Sequence, residues 1–405
     1  MSSTTSGEDK EKLVAEMAER QYLKGFVFHS PMVDDPTEVE LGDVLIWIRY
    51  WFIVIEVAWR NTIKATSIRR QQEIVREKRK QLLADFERYN KLKDTIRLQD
   101  AYGNDFGINQ FDPRGFVGVV MVDSNETVDH YHPDSVTRFQ DLPFPVTVFL
   151  RSGFLRVIDE LDTVPDLGIY IHDRFDFMKR SGPHAEKLLH LHPDLEPSLL
   201  AFYKLHDNSF NEGYFEKSRK HWIAEYDAFR KEHAQKRDEE NRDSKLIDSL
   251  ILHINSFHPS AREHAWQLAN LTRRERAGWV FKIMHGFYRI KDPDQRRHFT
   301  YESPSTNNHC LFVYSSNHDR ESFIQHCEHL GRLKIVHEID RSRFKHSVFV
   351  FGFRKSSVRN EQLFDDLVLT VFDADQAGKV TSDEVAESRK FFGGHQEKSI
   401  EEFPE

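Results

Sequence analysis

The sequence predicts an α/β protein: a mixed sheet flanked by helices, followed by a mainly helical region and an α+β C-terminal unit. Three observations lead there. Apolar, β-branched and aromatic runs such as VLIWI (44–48) and WFIVI (51–55) alternate with charged segments of helical period. The 405 residues exceed one minimal domain. A composition of 39% apolar and 30% charged residues, with 32 Phe, excludes a disordered, collagenous or disulfide-framework chain.

Residues 9–24 read as a helix, with Leu13, Met17 and Tyr22 or Leu23 near one face and Glu16 and Glu19 on neighbouring faces. A loop marked by Pro31 and Pro36 follows. VLIWI and WFIVI then suit two buried strands joined by a tight turn at Arg49-Tyr50, although no Gly supports that turn. A helix is expected from about Asn61 to Arg97, with Leu82, Phe86 and Tyr89 at packing positions. Strands at Phe116–Val122 and Pro145–Leu150 complete an α/β domain over 1–153.

Residues 154–240 form the helical region, ending in a charged run from Glu216 to Asp243 that suits an exposed helix or a linker. Residues 241–405 make the last unit. It has helices across 244–285, strands at Cys310–Tyr314, Leu333–Glu338 and Ser347–Phe353, a helix at 319–331 and an acidic tail.

Charge is unevenly spread. The net charge is −9, but residues 361–405 alone contribute −8, so the rest of the chain is almost neutral. Within it, Arg60 to Lys93 holds eleven basic residues against four acids. Cys310 and Cys327 are too few for a disulfide scaffold and form no CxxC pair, which fits a reducing cytoplasm. The polar N-terminus lacks a signal-peptide pattern. The apolar run 44–59, broken by Arg49 and Glu56, is too short and too charged for a membrane span.

The residues that carry chemistry lie in EVELGDVLIWIRYWFIVIEVAW. Asp43 opens the first strand and Glu56 closes the second, so a hairpin brings both carboxylates to one sheet edge. Such a pair suits Mg²⁺ or Mn²⁺, which polarises a phosphodiester and acidifies an attacking water. Glu16 or Glu19 offers an auxiliary acid. The bland alternative is two strand-end carboxylates in solvent.

A helix with Glu, a strand with Asp, a strand with Glu and then a basic helix is similar to the core of the restriction-endonuclease-like superfamily, the PD-(D/E)xK nucleases. Through ELGDVLI (40–46), VIDELDTVPDL (157–167), HCLFVY (309–314) and EEFPE (401–405), the chain also resembles uncharacterised bacterial proteins that carry such a core. The resemblance implies a metal-dependent nuclease acting on DNA, with defence against foreign nucleic acid as a role and Asp43 and Glu56 as metal ligands. It also implies a Lys two positions after the second acid, where this chain has Ala58. Either Arg60 or Lys64 supplies the displaced cation, or the fold is catalytically inactive and serves as a nucleic-acid-binding or protein-interaction module.

Arg69, Arg70, Arg76, Lys78, Arg79 and Lys80 on the following helix are candidates to grip a DNA or RNA backbone, and equally fit a solvated helix with i,i+4 ion pairs. DADQAGKVTSDE (373–384) places Asp373, Asp375 and Glu384 at calcium-loop positions, but Ala377 replaces a ligand, which favours a helix-capping turn. His130/His132, His190/His192 and His337 have no zinc-site spacing. No P-loop, dinucleotide fingerprint or nucleophile elbow is present. The acidic tail could fold over the basic helix as a mimic of nucleic acid, or simply solubilise the chain.

Overall fold

The computed structural model describes residues 7–22, 26–29, 31–34, 38–48, 51–59, 68–92, 97–99, 105–107, 115–123, 141–161, 163–191, 195–205, 210, 219–257, 261–288, 296–302, 309–315, 319–341, 347–354, 364, 366–373 and 379–392. The chain divides into two compact units, Met1–Glu240 and Asn241–Glu405. Both are mixed α/β.

The first unit opens with helix α1 (Gly7–Tyr22) and the short strands β1 (Val27–His29), β2 (Met32–Asp34) and β3 (Glu38–Glu40). The expected hairpin follows as β4 (Val44–Ile48) and β5 (Trp51–Trp59). They pair antiparallel from Val44↔Ile55 to Ile48↔Trp51, and the turn at Arg49-Tyr50 lies outside the described residues. Helix α2 (Ile68–Leu92), beyond which 60–67 and 93–96 lie outside the described residues, leads through β6 (Arg97–Gln99) and β7 (Asp105–Gly107) to β8 (Gly115–Asp123) and β9 (Val146–Leu150). Strands β2 and β3 pair with each other, as do β6 and β7.

The main sheet has the order β1-β4-β5-β8-β9, antiparallel as far as β5 and parallel from there. Alternation along the strands separates two faces. One carries Phe52, Phe116 and Phe144, and α2 covers it with Leu82, Phe86 and Tyr89; ring centroids lie 4.7–5.7 Å apart. The other carries Trp51 and Phe149.

Helices α3 (Arg151–Glu160), α4 (Val164–Leu191) and α5 (Leu195–Leu205) belong to this same unit rather than to a separate helical region, because α3 and α4 cover that second face and α5 packs on them. Gly168 of α4 makes the approach close: a Cβ there would run into the Trp51 ring. Buried Arg174 on α4 holds Glu196 on α5 through two 2.8 Å hydrogen bonds, above the Phe149 ring. The charged run from 219 onward is one 39-residue helix, α6 (Arg219–Phe257), and the unit boundary falls inside it.

The second unit adds α7 (Arg262–Ala269), α8 (Arg273–Tyr288), β10 (Arg296–Glu302), β11 (His309–Ser315), α9 (Arg320–Asp340), β12 (Val348–Arg354), β13 (Asp366–Phe372) and α10 (Ser382–Phe392). Its sheet runs β10-β11-β12-β13 with a parallel central pair. One expected element is overturned: Leu333–Glu338 is the last part of α9, not a strand. Its apolar run reads as a strand in isolation, but Leu330, Leu333, Val336 and the Lys334–Glu338 pair keep a helical period.

The described part of the acidic segment, through Phe392, is also not a free tail. Strand β13 closes the sheet against β12, and α10 buries Phe392 in the core. Acids there are paired: Glu384 with Arg332 at 2.6 Å, Glu387 with His329 at 3.1 Å, and Asp366 with Arg354. Among the described residues, no helix is long and apolar enough to cross a membrane.

Candidate active site

The hairpin and α2 together build a buried charged cluster at the edge of the first sheet. Gly42 adopts φ +77°, a conformation that L side chains disfavour, and a Cβ there would lie 2.5 Å from Val54 Cγ1. That turn sets Asp43 just outside β4. Continuing the register beyond Val44↔Ile55 places Asp43 opposite Glu56, and both face α2 with Val54 and Phe52. Asp43 Oδ2 accepts the Val57 backbone N–H at 2.5 Å, which fixes one carboxylate to the neighbouring strand.

Helix α2 supplies the rest. Its packing stripe runs through Leu82 and Tyr89, so Lys78 lies one turn before Leu82 and Asp85 about one turn after it. Lys78 Nζ donates to Glu56 Oε2 at 2.6 Å and to Asp43 Oδ2 at 3.1 Å. Asp85 is 2% exposed, as is Glu56. Its Oδ1 accepts from Arg88 at 3.0 Å, while its Oδ2 meets no donor unless Glu56 carries a proton.

The electrostatics follow from burying three carboxyls together. Burial first, and then the Asp43 charge, push Glu56 up to about 8 against the opposing pull of Lys78. Burial pushes Asp85 up to about 6. Burial works against the Lys78 ammonium, but Glu56 and Asp43 outweigh it and raise its pKa. Near neutrality the cluster therefore holds a charged Lys78 and a proton bound mainly to Glu56.

The sequence-derived candidates are distributed as follows. Asp43 and Glu56 meet at Lys78. Glu16 and Glu19 do not join them, because α1 packs against α3 on the side of Trp51 and Phe149; Glu16 is exposed, 3.9 Å from Lys12. Asp85 is the third acid at the pair instead. Arg60 and Lys64 lie outside the described residues. Ala58, two positions after Glu56, is buried on the same face of β5 and looks toward the helix that carries Lys78.

The proposed phosphate grip divides. Lys78 is turned into the acids. Arg79 binds Asp141 at 2.8 Å, and Arg76 and Lys80 are exposed. Arg69 and Arg70 lie on α2, with side chains outside the description. Lys78 and Asp85 were legible as inward positions from the spacing to Leu82, but a charge-rich helix hides them among seven other basic residues.

Two carboxylate oxygens that close on one ammonium at 2.6 and 3.1 Å fit a hard divalent ion completed by water and substrate oxygens. They do not form a closed protein cage: among the described residues, no group of three or more His, Cys, Asp and Glu side chains is arranged to hold a metal. In the second unit, Asp373 accepts from Ser347 Oγ. Glu384 accepts from Thr381 N and Oγ at 2.9 and 3.0 Å while its own N–H reaches Thr381 Oγ, which is a capping box at the start of α10. Asp375 lies outside the described residues. Comparison of the chain with protein-family models, curated proteins and solved structures finds no match, so residues and geometry alone support a functional reading.

Proposed function

We propose that the first unit is a metal-dependent nuclease of the restriction-endonuclease-like kind, cleaving DNA phosphodiesters, with defence against foreign nucleic acid as a role consistent with that chemistry. The observation that carries the reading is the convergence of Lys78 on Asp43 and Glu56. The cation missing at Ala58 is available from α2, at the same carboxylate pair.

Asp43 and Glu56 are the residues that hold Mg²⁺ or Mn²⁺. When bound, the ion supplies polarisation of the phosphodiester and a more acidic attacking water. Asp43 is kept in place by the Val57 N–H, so its orientation does not depend on its other partners. Glu56 must give up its proton to act as a ligand, which moves activity toward alkaline pH. Lys78 offers a compact ammonium on a flexible stem to offset charge on the attacked phosphate. Arg76 and Lys80 add sequence-independent attraction for the backbone.

The test is incubation of the purified full chain with plasmid DNA and with RNA in Mg²⁺ or Mn²⁺, comparing wild type with Asp43→Ala and Lys78→Met. Both substitutions should lower cleavage by ~100-fold or more. Activity that survives both belongs to a contaminant. An inactive wild type shifts the reading to a nuclease fold used as a binding or interaction module.

A further inference from the structure

We propose that Lys78 and the divalent ion compete for the same two carboxylate oxygens, Lys78 acting as the resident cation that metal binding displaces. The proposal rests on the nuclease reading above and deepens it by giving the site a metal-free closed state.

The geometry is the first support. Glu56 Oε2 and Asp43 Oδ2 pinch a single point, and Lys78 Nζ occupies it at 2.6 and 3.1 Å. A divalent ion on the same two oxygens needs separations of about 2.0–2.6 Å, so the ammonium excludes it by volume and by like charge. The second support is charge balance. Asp43, Glu56 and Asp85 crowd around Lys78, with Arg88 on the far oxygen of Asp85. Asp85 Oδ2, in a residue only 2% exposed, has no N–H donor. The three carboxyls of the cluster thus outnumber the two basic groups, Lys78 and Arg88, that hold them.

The third support is the asymmetry of the anchoring. Asp43 keeps its bond to the Val57 N–H and Glu56 is part of a central strand, so the acids hold their places without Lys78. Apart from its two bonds to these acids, Lys78 is tethered only by its four-carbon stem, with 13% of its side chain exposed, and can swing outward without moving backbone. Displacement then carries the ammonium away from the acids toward the side from which a phosphate approaches.

The experiment is calorimetric titration of the full chain with Mn²⁺ alone, at fixed pH, for wild type, Lys78→Met and Lys78→Arg, with a thermal melt of each in EDTA and in Mn²⁺. Lys78→Met should bind Mn²⁺ about tenfold more tightly or better, and gain more melting temperature from it than wild type does. Lys78→Arg should bind more weakly than wild type, because its permanently charged fork can span both carboxylates. Adding Asp43→Asn to Lys78→Met should abolish the gain.

Equal or weaker binding by Lys78→Met overturns the competition, and if cleavage persists the nuclease reading still stands. Tighter binding by Lys78→Met from a wild type that cleaves nothing supports the competition and removes the nuclease reading. Mn²⁺ binding by none of the three overturns both. If Lys78→Met fails to fold, Lys78→Arg decides alone: binding equal to or tighter than wild type overturns the proposal.

Discussion

Both units bury a Lys–Glu pair 2.6 Å apart, and the two pairs behave oppositely. In the first unit Glu56 meets Lys78 but also sits beside Asp43 and Asp85, and its pKa is driven up to about 8. In the second, Glu338 on α9 is 0% exposed and meets Lys334 one turn earlier. There burial pushes the carboxyl up, yet Lys334, His309 and His337 outweigh it and hold Glu338 below its ordinary value. His309 Nε2 stands 3.5 Å from its second oxygen. A buried ion pair is therefore no sign of a site by itself. What distinguishes the two is the surrounding charge: acids around Lys78, which leave room for another cation, against basic groups around Glu338, which leave none.

The sharpest way to break this comparison is to remove each lysine. Lys334→Met should cost the second unit ~3–5 kcal/mol, because Glu338 is left ionised, buried and short of its main partner. Lys78→Met should cost the first unit less at pH 6–7, because Glu56 already holds a proton there. Denaturant unfolding of both variants, followed by a probe in each unit, measures the difference. Equal losses at that pH would mean that the two pairs are the same kind of structural contact.

The next largest effect is on pH dependence, and the two units should slope in opposite directions. Glu56 rises from 4.5 to about 8 on folding and Asp85 from 3.8 to about 6, so the folded state holds their protons more tightly. Their contribution is fully present below about pH 4 and is lost as pH rises through 6 and then 8. Glu338 is shifted down, so its contribution is present above 4.5 and lost as pH falls below its ordinary value. Melts from pH 4 to 9 should show Glu56→Gln flattening the loss between pH 6 and 8. A variant whose profile over that window overlays wild type would show that Glu56 does not carry the proton.

Much of this was readable before any coordinates. Strand-like runs at 44–48 and 51–55 could only bury themselves as a pair, and the pair brings positions 43 and 56 together. Lys78 and Asp85 were passed over at that pair for one reason. A charged residue on a helix is read as solvated, yet Lys78 and Asp85 follow the apolar stripe of Leu82 and Tyr89 and are carried inward by it. The same difficulty hid the C-terminal elements: β13 and α10 lie in the most acidic part of the chain, but Val368 and Phe392 are core residues. Local composition could not show that Arg332 on α9 meets Glu384, or that Arg389 on α10 meets Asp340 at the end of α9, since the partners are about fifty residues apart. For that reason deleting 361–405 tests the fold of the second unit, not the function of a tail.

The smallest expected effect separates the buried lysine of α2 from its exposed neighbours. Arg76 and Lys80 face solvent, Arg79 is engaged with Asp141, and Lys78 is held by the acids. In EDTA, where no metal can free Lys78, Arg76 and Lys80 are the described basic residues of this turn that are open to phosphates. Anisotropy of a labelled duplex across 50–200 mM salt should give a log–log slope that falls by about 1 for each of Arg76→Ser and Lys80→Ser. Lys78→Met should leave that slope unchanged in EDTA, although it removes a cation from the same turn of helix. A slope that drops as much for Lys78→Met as for Lys80→Ser would place the Lys78 ammonium on the phosphate side without metal. In that case the acids of this cluster would not be holding it, and the contrast with Lys334 would disappear.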